Sequence, residues 1–72
     1  LTDYYIIHET PFGTERSIYQ RVERRMAENH QELADRCHAI IDKVKKQYLG
    51  KFFIADWTYL ETTNQTHLVE EV

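Results

Sequence analysis

Apolar and polar residues along the chain fall into three blocks of different period. The first, Asp3-Tyr4-Tyr5-Ile6-Ile7-His8, is dense in aromatic and β-branched residues that suit a pleated, partly buried surface, and it predicts a strand. Thr10-Pro11-Phe12-Gly13 ends it, because proline removes a ladder donor and glycine admits positive φ. Thr14 then reads as an N-cap with Glu15 in the first helical turn.

From Glu15 to Leu49 there is neither Pro nor Gly. Tyr19, Val22, Met26, Leu33, Cys37, Ile40, Ile41, Val44 and Tyr48 fall on one side at about 100° per residue, which predicts one long amphipathic helix. Lys43, Lys45 and Lys46 occupy its closing turns and Gly50 follows as a stop. Such a helix would be about 50 Å long in a chain whose compact size is roughly 25 to 30 Å across. It therefore bends, breaks, or projects onto a second subunit. Asn29 followed by Glu32 offers a cap at Asn29-His30 for a second helix. The stripe stays in phase across that point, which favours a continuous or mildly bent helix.

The third block, Lys51 to Leu60, is again strand-like, and the polar Thr62-Thr63-Asn64-Gln65 separates it from a shorter strand over Thr66–Val72. The expected fold is α+β: a strand, the long helix, then a β-hairpin, giving a three-stranded antiparallel sheet with the helix on one face. Asp56 chooses the face, since an unpaired carboxylate under a helix is strongly unfavourable. The helix is then expected over Phe53, Ala55, Trp57 and Tyr59. Phe52, Ile54 and Leu60 alternate onto the opposite face, joined by Tyr4 and Ile6 or by Tyr5 and Ile7.

One helix covers one apolar face, so the other calls for a partner. Tyr4, Ile6, Phe52, Ile54 and Leu60 are the expected interface, and a symmetric homodimer the economical use of it. The reading that follows is a non-enzymatic protein-interaction or assembly module that self-associates.

At 72 residues the chain supports a single domain over positions 1–72, and its start at Leu1 without a Met leaves room for a longer parent. No apolar run approaches the roughly 20 residues of a spanning helix, so no membrane partner is expected. The lone Cys37 excludes an intrachain disulfide and favours a reducing, intracellular and cytoplasmic setting. The net charge of −3 conceals a basic centre between acidic ends, because every Lys and Arg lies between Arg16 and Lys51. That offers a nucleic-acid alternative with Arg16, Arg21, Arg24, Arg25 and Arg36 as contacts, although Glu23, Glu28, Glu32, Asp35 and Asp42 among them would repel phosphate.

Catalytic chemistry is thin. His30 sits on the apolar stripe and reads as a satisfied histidine more readily than as a ligand, base or switch. Asp35, His38 and Asp42 share a helical face but would make a weak, unselective metal site. Cys37 and His38 are adjacent on a helix and point about 100° apart, so they do not form a nucleophile and base. No phosphate loop, paired-Cys motif or His-Glu-x-x-His helix occurs, and no cofactor is expected. An enzyme, or an enzyme subunit with a shared site, is the minority reading.

The stretch ending Lys45-Lys46-Gln47-Tyr48, followed by the aromatic strand Phe52-Phe53-Ile54, resembles the dynein light chain family. The resemblance implies a dimeric adaptor that binds extended peptides at a sheet edge. After Ile54 the chain departs from that family's pattern, with no Gly-rich turn, and no binding residue is carried over.

Overall fold

Two segments, Tyr4–Glu9 (β1) and Lys51–Ala55 (β3), form the centre of a four-stranded antiparallel sheet, and neither alternates apolar with polar residues. Continuous apolar runs of this kind belong to strands covered on both faces. Ile6 and Ile7 are both buried although they point to opposite sides, as are Phe52, Phe53, Ile54 and Ala55. The computed structural model describes residues 2–12 and 15–72.

The second strand, β2, is Arg16–Val22, and the fourth, β4, is Leu68–Glu71; they are the two edges of the order β2-β1-β3-β4. This corrects the expected three strands and the helix from Glu15. Ser17, Ile18, Tyr19 and Val22 fit a pleated surface, and pairing with β1 satisfies the backbone groups on the side that faces it, which outweighs a helical stripe of only Tyr19, Val22 and Met26 over this length. Gly13 and Thr14, read above as turn and cap, lie outside the described residues.

The long helix (α1) runs from His30 to Val44 and is capped where Asn29 and Glu32 suggested: Asn29 Oδ1 accepts from the Glu32 backbone N–H at 2.8 Å. Its fifteen residues span about 22 Å, which removes the length conflict. Leu33, Cys37, Ile41 and Val44 press onto Ile6, Val22, Phe52 and Ile54. The crossover β2-α1-β3 passes over β1, which lies between the strands it joins.

Asp56 does not mark an exposed sheet face. It ends β3 and caps a second helix (α2), Trp57–Thr62, by accepting from the Tyr59 N–H at 3.0 Å. Thr63, in the left-handed region at φ 55°, closes α2 with its N–H on the Tyr59 carbonyl at 2.8 Å. The expected strand through Leu60 and the hairpin after it are thus replaced by α2, a 3-10 turn at Gln65–His67 and β4. The expected face is reversed as well: α1 covers Phe52 and Ile54, while Tyr59 of α2 packs with Ile7, Phe53 and Ala55. Gly50 is not the stop of α1; it lies five residues beyond the cap at Lys45, where the chain enters β3. Among the described residues no helix is long and apolar enough to cross a membrane.

Candidate functional site

Two helices cover two faces, and this overturns the interface read from the sequence. Ile6 and Ile54 are 0% exposed and Phe52 is 1% exposed beneath α1, and Tyr4 packs at the margin of the same cluster. Leu60 belongs to the opposite layer, against Ile7, Phe53 and Tyr59. The five residues are therefore interior or marginal positions of two different layers, not one open surface.

The five arginines are divided too. Arg21, Arg25 and Arg36 line a groove of about 360 Å³ between β2 and α1, together with Val22, Met26 and Ile40. Each already has a carboxylate: Arg21 meets Asp3 at 2.9 Å, Arg25 pairs with Glu23, and Arg36 lies 3.9 Å from Glu32. Arg24 closes the turn before α1 by donating to the Ala27 carbonyl at 2.7 Å and the Glu28 carbonyl at 3.3 Å. Arg16 lies on the other side of the sheet. It binds Glu9 at 2.9 Å and the Tyr59 hydroxyl at 2.7 Å, and its guanidinium stands 4.6 Å over the Phe53 ring.

The groups weighed for chemistry are buried or meet neighbours within the fold. His30 is exposed at the start of α1, with Nδ1 3.4 Å from the Tyr4 hydroxyl. Asp35 accepts from Gln31 at 3.0 Å, and His38 pairs with Glu70 across to β4. Cys37 is fully buried, and burial pushes its thiol up to about 11. Asp56 has a partner that its sequence neighbours did not suggest: His67 Nδ1 sits 2.9 Å from Oδ2. Burial works to raise the Asp56 carboxyl, but the His67 contact and the Tyr59 and Thr58 backbone N–H groups outweigh it and hold it below its ordinary value. Among the described residues, no three His, Cys, Asp or Glu side chains gather to hold a metal ion.

What remains open is the β2 edge. Residues 16–21 are all exposed, and among the described residues no strand lies beyond them. Ile18, 48% exposed, borders a cleft of about 250 Å³ that it shares with Ile7, Arg16, Tyr59 and Leu60. Tyr19, 44% exposed, is skipped by the register with β1 and stacks edge-on with Tyr48 at 6.2 Å on the α1 side. An outer strand thus offers unpaired backbone groups with an apolar side chain on each flank. No family model, curated protein or solved structure matches the chain. The likeness to dynein light chains accordingly stands on residue types alone. Sequence reasoning missed this edge because Arg16–Val22 was absorbed into the helical stripe; the β-favouring run Ser17-Ile18-Tyr19 was the available signal.

Proposed function

We propose that this chain is a non-enzymatic interaction module that self-associates by pairing a strand onto the free β2 edge. One observation carries the reading: six consecutive exposed residues form an edge strand that no other helix or strand among the described residues covers, and it presents Ile18 to one side and Tyr19 to the other. Uncovered edges template pairing with another chain, and native proteins commonly blunt them with proline, lysine or a covering element. Between Arg16 and Val22 there is no proline and no lysine. The arginines at positions 16 and 21 are tied back to Glu9 and Asp3, which moderates their power to repel a second strand.

Sedimentation velocity over a concentration series, run beside amide hydrogen exchange, tests this. The expected result is a mass that rises with concentration and exchange at 16–21 that slows as it does. A chain that stays monomeric at millimolar concentration defeats the reading. If it then slows exchange at 16–21 only when an unrelated extended peptide is added, the edge serves as a peptide-binding adaptor.

Nucleic-acid binding is the second reading, favoured by Arg21, Arg25 and Arg36 lining one groove. It requires affinity for a single-stranded oligonucleotide that falls steeply with added salt. The carboxylate beside each arginine argues for a shallow dependence or for no binding.

A further inference from the structure

The sheet has two edges of opposite character. β2 carries Arg16 and Arg21, and β4 carries Glu70 and Glu71. Resting on the self-association reading, we propose that the strand received by β2 is β4 of a second copy, joined head to tail with Arg16 against Glu71, Ser17 against Glu70 and Ile18 against Leu68.

Direction, face and charge agree in this register. β2 runs antiparallel to β1, and β4 antiparallel to β3, which is itself antiparallel to β1. β4 therefore runs antiparallel to β2, and a second copy laid with the same face upward continues the antiparallel sheet. Arg16 and Ile18 oppose Glu9 and Ile7 of β1, which places them on the α2 side; Ser17 opposes His8 and faces the α1 side. On β4, Glu71 and Leu68 oppose Phe53 and Ala55 on the α2 side, while Glu70 opposes Ile54 on the α1 side. Directly opposed residues must share a face, and all three pairs do, with Val69 skipped here as it is in the register with β3. They comprise one opposite-charge pair, one polar pair and one apolar pair, each of a kind that supports a sheet.

Two-fold pairings of β2 centred on Tyr19 or just before it, and of β4 with itself, do not agree. If β2 meets β2 about a point between Ile18 and Tyr19, Arg16 of one copy faces Arg21 of the other. Centred on Tyr19, the strand opposes Arg16 to Val22. The residue skipped at Tyr19 puts those two on different faces, Arg16 beside the α2 layer and Val22 in the α1 core. Pairing β4 with β4 brings four glutamates into one seam.

A head-to-tail contact leaves one edge free at each end, so assembly runs on to longer arrays or closes as a ring. Two variants at exposed positions decide the matter. Ile18→Lys blocks the β2 edge, and Glu71→Arg blocks the β4 edge. In sedimentation velocity the wild type is expected to pass through dimer to larger species as concentration rises. Each variant alone should associate at least about tenfold more weakly, with circular dichroism showing that it remains folded. An equimolar mixture should form dimers and stop there, since only one good edge of each kind remains. A mixture that stays monomeric, a wild type that halts at a fixed dimer, or a Glu71→Arg variant that associates normally overturns this register and leaves self-association standing. A wild type that never associates removes both.

Discussion

Replacing Gly50 with alanine puts the junction between α1 and β3 to the test. Gly50 has φ 115°, a conformation that residues with a Cβ rarely adopt. A Cβ built there lies 2.1 Å from the Glu9 carbonyl oxygen and 3.0 Å from His8 Nε2. The nearer obstacle is backbone, so it cannot rotate aside as a side-chain tip would. Strained backbone of this kind costs about 1 to 3 kcal/mol. Relieving the clash also pulls apart the Glu9–Lys51 end of the β1–β3 ladder and the contact of His8 Nε2 with the Leu49 carbonyl at 2.7 Å. Each lost hydrogen bond adds about 0.5 to 1.5 kcal/mol. Reduced freedom of the unfolded chain returns about 0.4 to 1 kcal/mol. The net loss is about 2 to 4 kcal/mol, a large share of the roughly 4 to 11 kcal/mol expected for a domain this small. Thermal unfolding followed by circular dichroism should show a midpoint lower by roughly 10 to 25 °C. A shift under about 3 °C would refute the close approach of Gly50 to β1.

Four further outcomes follow from the packing and the caps. Asp56→Ala should lose about 1 to 2 kcal/mol in urea unfolding at neutral pH, because the cap of α2 goes with the carboxylate; Asp56→Asn keeps a capping oxygen and should lose under about 1 kcal/mol. Because the folded Asp56 carboxyl lies below its ordinary 3.8, its contribution is present above that pH and fades as the pH falls through the folded value. Wild type and Asp56→Asn should therefore converge in acid, and a gap that widened there would reverse the sign. Leu33→Ala empties a fully buried site under α1 and should cost about 2 to 5 kcal/mol in the same assay, with no loss indicating a different core. Ile54→Lys should abolish folding and not merely dissociate an assembly, since it puts an unpaired charge between α1 and the sheet; a folded monomer by circular dichroism would contradict the burial of Ile54.

Much of the centre of the fold was legible. Tyr4 to His8 and Phe52 to Ala55 are runs that only a strand buried on both sides explains well, and their lack of alternation already signalled a layer on each face. Asn29 and Glu32 marked the true start of α1, but phase continuity argued against a break. That continuity was accidental: Tyr19, Val22 and Met26 are too few to distinguish a helix from a strand that ends in a turn. Asp56 misled because a lone carboxylate in an apolar run fits two local roles, an exposed strand position or a helix cap. In the fold it takes the second, with Oδ1 on the Tyr59 N–H and Oδ2 beside His67, eleven residues on. Ser17-Ile18-Tyr19 signalled a strand, but not which strand lies outermost. That is fixed by the passage of α1 over β1, a long-range property that no local window contains.

Cys37 gives the molecule a clock for one of its two layers. It is the single thiol of the chain, it sits fully buried on the sheet-facing side of α1, and burial pushes it up to about 11. A thiol-alkylating reagent can reach it only when α1 lifts from Ile6 and Ile54. The thiol has no part in the layer that α2 forms with Ile7, Phe53 and Ala55. The rate of alkylation therefore records how often the first layer opens and is silent about the second, so the two halves of the core can be timed separately in the unmodified sequence.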